Sequence, residues 1–321
     1  MPGPIVTVTL NPAIDQTLVV DEFAVGKANR VSEARLDPGG KGVNVSQALK
    51  ELGVHSIAAG LAPGSVGRFI ETELIRDGIT VDFVPTAGET RTNLTLIDAK
   101  HHVATTIHNA GPETDPGLFD ELRERLREHY APGGWLVVGG SLPPPLEPSI
   151  YADLIRDAHA AGVQAALDSE GESLRAGLSA NPDLVRLSPA TLEELTDTEY
   201  ESDEDYLDAI EAIRKEGVGR LFLTPRDGPA WAVSADGAWR VIPPTVPTAT
   251  VISEVGWTDA TLAGVIQILA AGGSFEDALR RGIAAGRATI VTPGSMVGEV
   301  STVAAFEEQV RLEQVREPVQ P

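Results

Sequence analysis

Pro38-Gly39-Gly40-Lys41-Gly42-Val43-Asn44-Val45 is the stretch on which the reading of this chain turns. It leads directly into Asn44–Leu52, whose apolar residues repeat at helical spacing. Glycines let main-chain amides approach an anion closely. A helix N-terminus adds roughly half a positive charge, and Lys41 supplies a full one. Asn44 lies one turn into the helix, where its amide can face the same ligand. The spacing is neither the GxxxxGK[ST] of a P-loop nor GxGxxG. A glycine turn that only caps a helix is the alternative left open here.

Outward from this motif, short β-branched segments alternate with helical ones. Ile5–Leu10, His55–Leu61, Trp135–Val138, Gln164–Leu167, Leu184–Leu187 and Leu221–Thr224 read as strands. Ser65–Asp77, Pro116–Tyr130, Ser149–Ala161, Thr261–Ala271 and Phe275–Val291 read as helices. Strands separated by helices of this length predict an α/β fold with a mostly parallel sheet covered on both faces. Two stretches break the rhythm. Thr17–Leu36 and Glu89–His108 hold alternating strand-like segments without a helix, the pattern of antiparallel insertions forming a flap. In the second, Arg91, Asn93 and Thr95 share one strand face. An edge ribbon without function is the alternative. Residues 316–321 read as a frayed tail.

Composition narrows the function classes. The 321 residues carry a formal charge of −22, against nucleic acid and against an anionic membrane surface as partners. The N-terminus lacks the pattern of a signal peptide, and no run approaches the ~20 apolar residues of a membrane span. There is no cysteine, which excludes disulfides and thiolate metal sites and fits a reducing cytoplasm. In so acidic a chain an anionic ligand must be met by a few placed cations. Only five lysines occur, and Lys41 alone stands between glycines.

Two further motifs carry chemistry. Thr9-Leu10-Asn11-Pro12-Ala13-Ile14-Asp15 ends a buried strand, where α/β sheets place ligands, and Asp15 can accept hydrogen bonds from sugar hydroxyls or cap a turn. Val255-Gly256-Trp257-Thr258-Asp259 precedes an apolar helix. Asp259 there can be a catalytic base beside an anion hole, or an N-cap.

With Thr90-Arg91-Thr92-Asn93 and Gly140-Ser141-Leu142-Pro143-Pro144, these motifs in this order resemble the ribokinase-like (PfkB) carbohydrate kinases. The resemblance is to the branch holding 1-phosphofructokinase and tagatose-6-phosphate kinase, and runs from about Ile5 to Gly294. It implies a three-layer ribokinase-like domain over residues 1–315, with a small β-sheet lid inserted at about 17–36 and 89–108. Lids of this family commonly pair into dimers. The resemblance implies ATP as phosphoryl donor, Mg²⁺ bridging its phosphates, and a sugar phosphate as acceptor. Asp15, Gly39, Gly40, Asn44 and Asn93 would bind the sugar, with Lys41 and Arg91 converging on its phosphate. Asp259 would be the general base, and the amides of Gly256, Trp257 and Thr258 the anion hole. Thr224, Arg226, Asp227 and Gly228 would face the nucleotide, and Glu193 would reach the metal indirectly.

The donor side departs from the family pattern at four places. Gly-Ala-Gly-Asp reads Gly256-Trp257-Thr258-Asp259, so the turn loses glycine freedom. Glu254 stands where threonine is usual, and a carboxylate there repels a triphosphate unless it faces metal or solvent. Lys-Pro-Asn reads Ser188-Pro189-Ala190, and Pro225 interrupts the nucleotide loop. The sugar-phosphate motifs are intact while the ATP motifs have eroded together. Two readings follow: a ketohexose-phosphate kinase with an adapted nucleotide pocket, or a catalytically impaired pseudokinase that senses sugar phosphate.

Overall fold

Val6 and Val8 of the first strand pack against one face of the main sheet and Ile5 against the other, and Leu136 and Val138 alternate with Trp135 and Val137 in the same way. Strands apolar on both sides are stable only between two helical layers, and that is the arrangement found. The computed structural model describes residues 3–101 and 103–317. Its ten-stranded sheet runs, edge to edge, β14 (Arg311–Arg316), β13 (Gly237–Ile242), β12 (Ala230–Ser234), β11 (Arg220–Leu223), β10 (Leu184–Leu187), β9 (Gln164–Asp168), β8 (Trp135–Gly139), β1 (Ile5–Thr9), β4 (Ile57–Pro63) and β5 (Thr80–Thr86). Pairing is parallel from β11 to β5 and antiparallel from β11 to β14.

One helical layer holds α3 (Leu118–His129), α4 (Ile150–Ala160), α5 (Gly171–Leu178), α6 (Pro189–Thr196) and α7 (Asp203–Lys215), burying Leu126, Leu154, Leu174, Leu192 and Ile210. The other holds α1 (Lys41–Glu51), α2 (Gly64–Arg76), α8 (Trp257–Ala270), α9 (Phe275–Ile290) and α10 (Val300–Glu307). Helix α8 is apolar nearly all round because it lies between the sheet and α9, with Leu262, Val265 and Ile266 fully buried. Among the described residues, no helix is long and apolar enough to cross a membrane.

The two insertions form a separate four-stranded sheet, β3 (Val31–Gly39), β2 (Ala13–Val20), β6 (Arg91–Asp98) and β7 (Val103–Ile107), in that order. Each insertion is an antiparallel hairpin, but β2 and β6 pair parallel, Asp15 opposite Asn93 and Ala13 opposite Arg91. An all-antiparallel flap is therefore corrected to a mixed one. The lid also starts earlier than expected, because β2 begins four residues after β1 ends. Arg316 is no part of a loose tail: it closes β14, with ion pairs of 2.7 Å to Asp208 and Glu211. The expected tail beyond Glu317 lies outside the described residues.

Candidate active site

The parallel strands β1, β8, β9, β10 and β11 all end on the same side of the main sheet, the side on which α/β sheets hold ligands. Two helices start there. Lid strand β3 ends at Gly39 and, after the cap residue Gly40, the chain enters α1 at Lys41. A Cβ on Gly39 would stand 2.6 Å from the Asp15 carboxyl carbon, so only glycine lets the turn pass that side chain. Helix α8 starts at Trp257, with Gly256 as its cap at φ 75°, a conformation that favours glycine.

Asp259, in the first turn of α8, is buried at 6% exposure and joins the two helices. It accepts hydrogen bonds from Lys41 Nζ at 3.0 Å and from Asn44 Nδ2 at 2.8 Å. Lys41 also forms an ion pair with Asp168 at the end of β9, at 3.1 Å. Burial alone would push the Lys41 ammonium down, but Asp168 and Asp259 together outweigh it and hold the group above its ordinary range. On its far side Asp168 meets Arg186 of β10 at 3.5 Å, and Arg186 Nε donates to Thr224 Oγ1 at 2.9 Å. A buried polar chain thus links Asp259 to the loop after β11.

Lys41 is thus paired between two buried carboxylates, and Asn44 faces Asp259 as well. Asp168 and Arg186 were missed by sequence reasoning. Their signals were a carboxylate at the end of a buried strand, Gln164–Asp168, and a cation inside the apolar Leu184-Val185-Arg186-Leu187.

The acceptor side is built by the lid. Asn93 Nδ2 donates to Asp15 Oδ1 at 2.9 Å across the β2–β6 pair. Burial pushes the Asp15 carboxyl up; the Asn93 bond opposes this, Asp259 adds to it and Arg91 works against it. Arg91 donates only to carbonyls, Asn11 O at 3.1 Å and Asn109 O at 2.8 Å, so its charge is positioned without being neutralised. Burial pushes the Arg91 guanidinium down, with Asp15 pulling it back up. Asn11 Oδ1, Asn44 Oδ1, Asn93 Oδ1 and Arg91 Nε are all buried with no hydrogen-bond partner among the described residues. Buried polar atoms usually have a partner, and these four belong to the lid strand β6, the bend after β1 and the first turn of α1.

On the donor side, the amides of Trp257, Thr258 and Asp259 have no partner among the described residues, and with the α8 dipole they offer donors of the kind that suit an anion. Neither Trp257 nor Thr258 has positive φ, so the loss of glycine at those two positions costs the turn nothing. Glu254 is exposed and pairs with Arg226 at 2.6 Å. Asp227 and Gly228, at φ 88°, complete an exposed loop. Ser188 is the cap of α6, its hydroxyl accepting from the Thr191 amide at 3.1 Å. Glu193 is not brought to this group; its Oε1 accepts from the Tyr206 hydroxyl at 2.8 Å. Among the described residues, no three acidic or histidine side chains are grouped as a metal cage.

A buried carboxylate beside a helix-capped anion hole, under a lid with unpaired hydrogen-bonding atoms, defines a phosphotransferase-like site. Residues 8–302 match the pattern described as pfkB family carbohydrate kinase, and the chain belongs to that family. It is 30% identical over 312 residues to a 1-phosphofructokinase of Borreliella burgdorferi, covering 97% of this chain and 99% of that one. A tagatose-6-phosphate kinase of Staphylococcus epidermidis is 29% identical, over 88% and 90% of the two chains. The crystal structure of phosphofructokinase-2 from Escherichia coli in complex with potassium superposes with a TM-score of 0.90 at 27% identity, over 96% of this chain and 99% of that one. These homologues are sugar-phosphate kinases, and the ribokinase-like fold and family read from the motifs are borne out.

Proposed function

We propose that this chain transfers the γ-phosphoryl group of ATP to a hydroxyl of a ketohexose phosphate: fructose 1-phosphate, fructose 6-phosphate or tagatose 6-phosphate. The observation that carries this is the set of partnerless atoms under the lid. Three are acceptors, suited to sugar hydroxyls, and the fourth is an arginine donor, suited to a phosphate oxygen. Arg91 holds the phosphate already on the substrate. Asn44, Asn93 and Asp15 hold hydroxyls, with Gly39 and Gly40 giving the substrate access along the turn into α1.

Asp259 takes the proton of the attacking hydroxyl at one of its carboxylate oxygens. Lys41 and Asn44 hold those oxygens in orientation. The main-chain amides of residues 256–259 stabilise charge on the transferring phosphoryl oxygens. The nucleotide lies along Thr224, Arg226, Asp227 and Gly228. Mg²⁺, when bound, would neutralise phosphate charge; it would be carried by the phosphates and water, with Glu193 reaching it through water. A second copy pairs through the lid, whose Val31, Leu36, Val103 and Ile107 are exposed, and the enzyme works in the cytoplasm.

The Arg226–Glu254 pair and Pro225 on the nucleotide loop favour a second reading, a sugar-phosphate sensor without transfer. A coupled ADP-release assay with the three sugar phosphates and Mg-ATP separates the two. Turnover is expected, falling at least 10³-fold in Asp259→Asn with sugar-phosphate affinity retained. Sugar-phosphate binding with no turnover of any of the three defeats the kinase reading.

A further inference from the structure

Three neighbouring parallel strands end alike on the face covered by α1 and α8. Ala166 of β9, Leu184 of β10 and Phe222 of β11 pack into the core on that face. Two residues beyond each, on the same side of its strand, stand Asp168, Arg186 and Thr224. Leu184 lies opposite Ala166 and Val185 opposite Leu167, which sets Arg186 beside Asp168. The Thr224 amide donates to Leu187 O at 3.0 Å and carries the β10–β11 pairing one residue further.

Arg186 is the least exposed lysine or arginine among the described residues, at 7%. Its Nε donates to Thr224 Oγ1 at 2.9 Å, and its Nη1 stands 3.5 Å from Asp168 Oδ1. Asp168 Oδ2 meets Lys41 Nζ at 3.1 Å, and Lys41 reaches Asp259 Oδ1 at 3.0 Å. Charge therefore alternates along one row: Arg186, Asp168, Lys41, Asp259. Fold stability does not ask for this arginine. Desolvating a guanidinium is costly, and buried ion pairs exchanged for apolar side chains of similar volume often leave a protein as stable or more so. What the arginine does supply is a second cation for Asp168. With Lys41 as its only cation, Asp168 would draw the ammonium away from Asp259. Divided between two cations, it leaves Lys41 shared almost equally by the two carboxylates.

We infer that Arg186 is a positioning residue that ties the loop after β11 to Asp259, holding Thr224 with Nε and, through Asp168 and Lys41, the carboxylate with Nη1. The inference rests on the reading of Asp259 as the base and of that loop as the nucleotide's. It adds that donor binding and base orientation share one side chain, whose two arms can be cut separately. Glutamine places an amide nitrogen where Arg186 has Nε, which keeps the Thr224 arm and loses the charge facing Asp168. Lysine keeps the charge and has a methylene in the place of Nε.

The test is steady-state kinetics of the full chain with Mg-ATP and each of the three ketohexose phosphates, for wild type, Arg186→Leu, Arg186→Gln and Arg186→Lys. Thermal unfolding checks that each variant is folded, and the Gln and Lys variants decide the matter if Arg186→Leu is not. Arg186→Leu should lower kcat at least tenfold and raise the KM for Mg-ATP at least fivefold. Arg186→Gln should lose kcat but keep the KM for Mg-ATP, and Arg186→Lys should do the reverse. The KM for sugar phosphate should stay within twofold throughout, since Asp15, Arg91 and Asn93 lie on the lid. Added to Asp168→Asn, Arg186→Leu should lower kcat no further. Wild-type kinetics in Arg186→Leu overturn the inference and leave the kinase reading standing. Gln and Lys variants that behave alike also overturn it, as does a kcat loss that multiplies with that of Asp168→Asn, because Arg186 would then act on the fold at large or without Asp168. Wild type that turns over none of the three sugar phosphates overturns both readings.

Discussion

Replacing Lys41 by methionine removes a cation 3.0 Å from Asp259 and 3.1 Å from Asp168. At an effective dielectric of about 20 each contact is worth roughly 5 kcal/mol before desolvation is subtracted. The variant need not leave two bare charges, however, because it can protonate one carboxylate. Starting from an ordinary aspartate, that costs about 4 kcal/mol at pH 7 and about 1.5 kcal/mol at pH 5. The first figure agrees with the roughly 3–5 kcal/mol typical of a broken buried pair. Asp168 still has Arg186 at 3.5 Å, whereas Asp259 keeps only the neutral Asn44. The penalty for an aspartate left without its cation is absent below about pH 4, where the carboxyl is protonated in either state, and grows as pH rises. Urea unfolding of wild type, Lys41→Met and Lys41→Met/Asp168→Asn between pH 5 and 8 measures this directly. The single variant should lose about 3–4 kcal/mol at pH 7 and roughly 1–2 kcal/mol at pH 5, with Asp168→Asn restoring part of the loss. A penalty that stays flat across this range, or one that Asp168→Asn deepens, would refute the reasoning.

The acceptor side yields two more expectations. Burial holds the Asp15 carboxyl above its ordinary value, so Asp15 works against the ligand-free fold once pH has risen through its folded pKa. Asp15→Asn should therefore unfold at a higher temperature than wild type at pH 7, with the difference vanishing toward pH 4, while its sugar-phosphate affinity drops at least tenfold; a lower melting temperature at pH 7 counts against the burial argument. Arg91→Ala should raise the KM for sugar phosphate about 100-fold, and Arg91→Lys should recover only part, because an ammonium cannot replace a fork that also spans the Asn11 and Asn109 carbonyls. Steady-state kinetics with varied acceptor decides this, and an unchanged KM in Arg91→Ala removes Arg91 from the acceptor site.

Much of the fold was legible because it rests on local patterns. Apolar runs of four to six residues between helices could only be strands of a covered sheet, and the two helix-free stretches marked the lid. The parallel β2–β6 pairing was not legible, since it joins insertions far apart in the chain and no turn fixes their register. Helix α7 was passed over because its surface is charged, although Ser202 and Asp205 form a capping box and Leu207, Ile210 and Ile213 face the core at helical spacing. In the site, sequence singled out Asp15, Asn44, Arg91, Asn93 and Asp259 by motif. What it could not supply was pairing: only the fold brings residues 41, 168 and 259 to one end of the sheet, where Lys41 lies between the two carboxylates.

The same distinction between main chain and side chain bears on the eroded donor motif. An anion hole made of amides depends on helix geometry, and the one position there that needs a left-handed conformation, Gly256, is retained. Trp257 and Thr258 occupy the first two positions of α8, where any residue other than proline leaves an amide pointing outward. Their side chains alter the walls of the site and leave its donors untouched. Pro225 is a different kind of change, because it deletes an amide outright, and no rearrangement of neighbours restores a main-chain donor. On the proposed reading, a site that loses one amide contact to a polyphosphate gains from a positioned cation nearby. Arg226 is held by Glu254 in an exposed pair worth at most about 1 kcal/mol, weak enough for a phosphate to displace the carboxylate. On the proposed reading Arg226 would then supply by charge what Pro225 removes from the main chain, while the acceptor side keeps its full complement of motif residues.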